Sequence, residues 1–144
     1  MEYLCQADTL AVTEEPLYRY LLNPASATHR YMNHFRETFQ RYMERKEELV
    51  CRYGLEELAP QWRENTDWAG LLIAIGNEYA RGSDKSVRDR QETVKALCQE
   101  PEIAKAIETY VPDGLGGNKK IVAKLVRGRH FGLLTLLYRL KNRI

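Results

Sequence analysis

The stretch Trp68-Ala69-Gly70-Leu71-Leu72-Ile73-Ala74-Ile75-Gly76 decides the fold. It is apolar nearly all round, and it is the longest such run in the chain, yet it has only about half the length that a bilayer-spanning helix needs. A helix apolar on every side must be wrapped by other elements, so this one is expected at the centre of a helical bundle. Asn65, Thr66 and Asp67 offer caps for a helix over residues 68–81, with Leu71, Leu72, Ile75 and Tyr79 inward and Gly82 as its end. Just upstream, residues 55–62 read as a short turn of helix broken at Pro60.

Working outward, Ser26 or Thr28 offers a cap for a long helix running to Tyr53, with Gly54 as a left-handed stop. Tyr31, Phe35, Phe39, Tyr42, Met43, Leu49, Val50 and Tyr53 recur at three- and four-residue steps and form one apolar stripe. Arg36, Glu37, Arg41, Glu44, Glu47 and Glu48 then face water. The stripe reads as core packing rather than as a stacking platform for sugars or bases. His29 and His34 are five residues apart, which does not place two ligands on one helical face.

Downstream, Ser83 or Ser86 starts a further helix. Ser86 followed by Asp89 approximates a capping box, and Val87, Val94, Leu97 and Cys98 form the buried side. Pro101 suits the first turn of the next helix, over 102–110, with Ile103, Ala106, Ile107 and Tyr110 inward. Residues 111–118 hold Pro112, Gly114, Gly116 and Gly117 and read as a hinge. They lack the second half of a phosphate-binding loop pattern and follow no strand. Beyond the hinge, Asn118 caps a helix over 119–127 with Ile121, Val122, Leu125 and Val126 on one face. Gly128 bends the chain into a last helix over 131–143, with Leu133, Leu134, Leu137 and Leu140 on its apolar face and Thr135, Arg139 and residues 141–143 on a polar strip.

Composition bounds the function. At 144 residues, 44% hydrophobic and 29% charged, the chain suits one domain with a real core. Its net charge of +2 hides an asymmetry, because all twenty acidic residues lie at or before Asp113. From Gly114 onward there are eight basic residues and no acid: Lys119, Lys120, Lys124, Arg127, Arg129, Arg139, Lys141 and Arg143. A basic amphipathic tail with bulky apolar residues suits an anionic membrane surface, and equally its apolar face could close the bundle. Nucleic acid is disfavoured, since one short basic helix lacks interleaved stacking aromatics. Cys5, Cys51 and Cys98 are scattered in no metal-binding spacing and read as buried reduced thiols, which points to a cytoplasmic protein. The N-terminus shows no basic start followed by an apolar run, so no signal peptide is expected.

The N-terminal part carries the one local signature of function. Residues 9–13 alternate weakly as a short strand, Glu14-Glu15-Pro16 makes a turn, and Leu17-Tyr18-Arg19-Tyr20-Leu21-Leu22 reads as a second strand before Asn23-Pro24-Ala25-Ser26. Such a hairpin is marginal alone and needs a layer to lie on. A strand, an acidic-Pro turn, Leu-Tyr-x-Tyr, then Asn-x-x-Ser and a long amphipathic helix resembles the region following the catalytic core of bacterial family 2 glycosyltransferases of the GT-A type, which build cell-surface polysaccharides. The resemblance is carried by residues 16–26 and is generic beyond them. It implies that Tyr18, Tyr20, Asn23 and Ser26 line the acceptor side of a site, and that the tail docks the enzyme at the inner face of the membrane. The chain departs from the family in having no Asp-x-Asp motif, no Gly-rich strand-to-helix turn and no Glu-Asp pair to activate an acceptor. The nucleotide-sugar and the divalent metal would therefore belong to a catalytic core outside this sequence, and no cofactor, metal site or catalytic residue is expected within it.

The resulting expectation is a mainly α protein, a helical bundle with a small N-terminal β-hairpin. The hairpin segment takes 1–26, the bundle 27–112, and the hinge with the basic amphipathic helices 113–144. Functionally it is expected to be a non-catalytic accessory region of a glycosyltransferase with a membrane-surface tail. A stand-alone helical protein-interaction module is the alternative.

Overall fold

The computed structural model describes residues 6–9, 11–16, 18, 30–109 and 115–142. Among these the chain is mainly helical, with six α-helices and one 3₁₀ turn. They are α1 (Phe35–Tyr53), the 3₁₀ turn (Glu56–Leu58), α2 (Ala59–Glu78), α3 (Val87–Cys98), α4 (Pro101–Thr109), α5 (Gly117–Arg127) and α6 (Phe131–Asn142). The hairpin expected in 1–26 lies largely outside the described residues. So do Tyr110, the end of an expected helix, and residues 111–114, the first part of the expected hinge.

The central helix is α2, and it is longer than its sequence suggests. Residues 59–78 run as one helix of 20 residues, without the break expected at Pro60. Pro60 falls in the first turn, where its missing N–H has no intrahelical partner to lose. The anticipated caps at 65–67 are therefore interior, and the Thr66 hydroxyl donates to the Trp62 carbonyl (2.7 Å). Trp68, Leu71 and Ile75 from α2 and Tyr79 just past its end meet Val94 of α3, Ala106 of α4, Val122, Ala123 and Val126 of α5, and Leu134 and Tyr138 of α6 in one core. Within the quoted stretch Ala69 and Ile73 are exposed, Ile73 at 56%. The Trp68 indole N–H donates to the Ala106 carbonyl (3.0 Å), which satisfies a buried donor and joins α2 to α4.

The first helix departs from expectation in its start and its role. It begins at Phe35, not near residue 28, and His34 at its N-cap makes no side-chain capping bond. Residues 30–32 instead lie along the end of α2. The Tyr31 N–H donates to the Arg81 carbonyl (3.1 Å). The Asn77 side chain accepts from the Met32 N–H (2.8 Å) and donates to the Met32 carbonyl (3.1 Å). These bonds give the backbone of 31–32 the partners that a helix would otherwise supply. Gly54 does stop α1 in the left-handed region, at φ 63°, as expected. The aromatic stripe of α1 is only half-buried, and its Phe39 ring lies so close to Gly70 that a methyl group there has no room. The one buried residue of α1 is Lys46, whose ammonium sits 3.8 Å from the Trp62 ring centre and 5.0 Å from that of Tyr42. Its stem packs on apolar surface while two aromatic faces receive the charge.

The α2–α3 connection is built on Arg90, which is 6% exposed. Its Nε donates to the Lys85 carbonyl (3.1 Å), Nη1 to those of Glu78 (3.2 Å) and Ala80 (3.1 Å), and Nη2 to that of Ser83 (2.9 Å). A rigid fork of donors thus takes up carbonyls left open where α2 ends, at the negative pole of that helix. Ser86 then caps α3: its Oγ accepts from the Asp89 N–H (3.2 Å) and donates to the Asp89 carboxylate (2.6 Å). Val87, expected inward, is 38% exposed, because it opens the helix at the loop edge.

The last two helices form a corner that closes the core, and their faces differ from the expected ones. The N-cap of α5 is Gly116, not Asn118, and at the corner it is Arg129, not Gly128, that takes a positive φ of 55°. On α5 the buried face is Val122, Ala123 and Val126, with Ile121 at 48% exposure. On α6 Leu134 is buried and Leu137 packs against the core as expected, but Thr135 and Tyr138 are buried too, while Leu133 and Leu140 face out. The Tyr79 hydroxyl explains this rotation. It is buried and lies 2.7 Å from the Thr135 hydroxyl, which in turn donates to the Phe131 carbonyl (2.8 Å). A buried phenol without a partner would cost about 1–3 kcal/mol, so a hydroxyl at this inward position contributes on the scale of one buried leucine. The Tyr79 and Tyr138 rings also stack at 4.8 Å.

Candidate functional site

Of the four residues that the resemblance places on an acceptor side, the described part includes only Tyr18, which is 79% exposed. Tyr20, Asn23 and Ser26 lie outside the described residues. Arg143 of the cationic set likewise lies outside.

The other seven cations form an exterior on α5, the corner and α6. Lys119, Lys120, Lys124, Arg127, Arg129, Arg139 and Lys141 are all exposed, and none forms an ion pair with a described acid. Arg127 Nη2 donates to the Glu108 carbonyl (3.3 Å), and the Lys141 ammonium lies 5.9 Å from the Tyr138 ring centre. These are light restraints that leave the charges to solvent or to a ligand.

Beside them lies an apolar row on the last helix. Leu133, Leu136 and Leu140 are 56%, 49% and 73% exposed and recur at steps of three and four, so they form one outward row on α6. The helix is two-faced: Leu134, Thr135 and Tyr138 close the bundle, and the row of leucines points away from it. No helix among the described residues is long and apolar enough to cross a membrane.

Two concavities open on the described surface. The larger, about 490 Å³, lies between the end of α3, α4 and the α5–α6 corner, with Cys98, Ile107, Val126 and Phe131 as its apolar lining and Arg127 and Arg129 at its edge. Burial pushes the Cys98 thiol up to about 11, with Glu100 adding to the shift, so it stays protonated and poorly nucleophilic near neutral pH. The second, about 440 Å³, is a groove lined by Arg30, Tyr31, Arg81 and Gly82. Lys85 stands beside it, 2.8 Å from Glu78 and 5.5 Å from the centre of the Tyr31 ring. Burial alone would pull the Lys85 ammonium down, but the bonds to Glu78 and Tyr31 outweigh it and hold the group above its ordinary value.

Acidic groups elsewhere are structural. Glu47 is hydrogen-bonded to Arg63, which lowers its pKa. Asp67 is pushed up by burial, with Glu102 and Glu64 adding, and neither concavity reaches it. Among the described residues no three His, Cys, Asp or Glu side chains converge as metal ligands would.

Sequence alone groups Leu133 and Leu140 with Leu134 and Leu137 and omits Leu136, because a helix with leucine on several sides gives no phase. The Arg30–Arg81 groove escaped it because its two arginines meet only through tertiary structure. Comparison with known protein families, with curated proteins and with solved structures returns no match for this chain.

Proposed function

We propose that this chain is a non-catalytic accessory region of a family 2 glycosyltransferase, and that its last two helices dock it on an anionic membrane surface at the cytoplasmic face. One observation carries the docking: the outward row Leu133, Leu136 and Leu140 runs along a helix whose neighbourhood is cationic and, past Asp113, free of acid. Leucines at the acyl boundary with Lys and Arg at headgroup level is the arrangement an interfacial helix uses. Each cation near an anionic surface contributes about 1 kcal/mol. The inner face of α6 is already used by the core, so docking requires no opening of the bundle. The glycosyltransferase part of the proposal is supported by the resemblance of residues 16–26, and the partner it implies is a catalytic domain that supplies the nucleotide-sugar and metal.

Sedimentation with vesicles tests the docking. Binding is expected to vesicles containing anionic lipid, to be absent with neutral ones, and to weaken as salt shortens the Debye length below about 8 Å. Replacing Leu136 and Leu140 together by Glu leaves the core untouched and removes roughly 2 kcal/mol of apolar transfer per residue, about a hundredfold or more in partitioning. Equal binding by that variant, or none by the parent chain, would refute the docking. A stoichiometric protein complex insensitive to lipid would instead favour the interaction-module reading. The acceptor-side assignment has its own test: in a full-length enzyme, Ala at Tyr18, Tyr20, Asn23 and Ser26 raises the KM for the acceptor, and an unchanged KM rejects it.

A further inference from the structure

We infer that the groove between Arg30 and Arg81 is a binding site for a phosphate group. The two residues are partners in an isolated parallel bridge, so their side chains leave the same side of the paired backbone. Both arginines line the same groove, so an anion seated there is attracted by two permanent cations. No described acid forms an ion pair with either arginine. Of the acids flanking this loop, Glu78 is engaged by Lys85, and Asp84 does not line the groove.

The groove is also held in shape. The Tyr31 N–H bonds to the Arg81 carbonyl (3.1 Å), Asn77 clamps Met32 at both backbone groups, and Arg90 fixes the carbonyls of Ala80 and Ser83 on either side of the bridge residue. Arg81 Nε donates to the Asn142 carbonyl (3.1 Å), which orients its guanidinium and leaves the two terminal nitrogens for a ligand. Gly82, at φ 89°, has open space where a side chain would stand. Two forks of donors on a rigid backbone, beside an aromatic ring, match the oxygens of a phosphate dianion. The groove adjoins the last turn of α6, yet the inference does not depend on docking by the leucine row.

Titration of the full chain at low salt, followed by the arginine Nε–H signals in NMR, tests this with two probes: inorganic phosphate and a short-chain phosphatidic acid below its micelle concentration. Saturable shifts of the Arg30 and Arg81 signals in the millimolar range are expected. Arg30→Gln, which removes no structural bond, should weaken binding at least tenfold with an unchanged melting temperature, whereas the Leu136, Leu140 double variant should bind phosphate as the parent does. Tighter binding of the phosphatidic acid assigns the groove to a lipid headgroup, and equal binding assigns it to free phosphate. The absence of saturable shifts with both probes, or undiminished binding in Arg30→Gln, overturns the inference.

Discussion

Replacing Arg90 by Met tests how the end of the central helix is held. Methionine preserves most of the stem's packing but deletes all the hydrogen bonds to the carbonyls of Glu78, Ala80, Ser83 and Lys85. Each is a charge-assisted bond worth about 1 kcal/mol or more net, but Ala80, Ser83 and Lys85 are only half-buried, so their carbonyls regain water in part. The expected loss is therefore about 3 kcal/mol, a large share of the ~5–15 kcal/mol that holds a domain together. For a domain of this size that is a fall in Tm of roughly 6–12 °C. Urea unfolding monitored by tryptophan fluorescence and by circular dichroism would measure it. Arg90→Lys separates charge from geometry: it keeps the cation at the helix's negative pole but cannot span the loop carbonyls, and should recover less than half of the loss. Because the same loop carries Arg81 and Gly82, phosphate binding should weaken in Arg90→Met even at temperatures where the protein is fully folded. A change under about 0.5 kcal/mol in Arg90→Met would refute this account of the loop.

Three further outcomes follow from the same contacts. Thr135→Val orphans the Tyr79 phenol in the core and should cost about 1–3 kcal/mol, with Thr135→Ser recovering most of it; equal stability of Val and Thr would remove the physical reason given for the rotation of α6. Asn77→Ala frees Met32 at both backbone groups and should cost about 1–2 kcal/mol while raising hydrogen exchange at the amides of residues 31 and 32 first; uniform exchange along α2 instead would contradict the clamp. Burial holds the Cys98 thiol near 11 in the folded chain, so above its ordinary value of 9.0 the unfolded chain loses that proton first and unfolding releases it. Stability should then fall as pH climbs from about 9 to about 11, by roughly 1–2 kcal/mol given the thiol's remaining solvent contact, and Cys98→Ala should flatten that limb; burial raises Tyr79 and Tyr138 as well, adding a steeper fall higher up. At pH 8 a disulfide reagent should modify exposed Cys51 far faster than Cys98, and equal rates would count against the burial argument.

Sequence by itself determined the helical class, the central place of residues 68–76, and the local punctuation. Gly54 as a left-handed stop, Ser86 as a cap and Pro101 at a first turn are short-range events, fixed by backbone sterics and by hydrogen bonds a few residues long. The charge division at Asp113 is likewise a property of the chain, whatever its fold. What only the tertiary structure decided are the choices that depend on a distant partner. On α6 Leu134 and Leu137 pack on the core, but Thr135 also turns inward to meet the Tyr79 phenol, while Leu133, Leu136 and Leu140 are left in an outward row. Residues 31 and 32 could have extended α1, but Asn77 and Arg81 offered their backbone other partners. Lys46 is buried because Trp62 and Tyr42 surround its ammonium, and Arg30 faces Arg81 only because a bridge joins residues far apart in the chain. Hydrophobic periodicity predicts that a face is buried; it cannot say which of several apolar faces wins when a single buried polar group must find its bond.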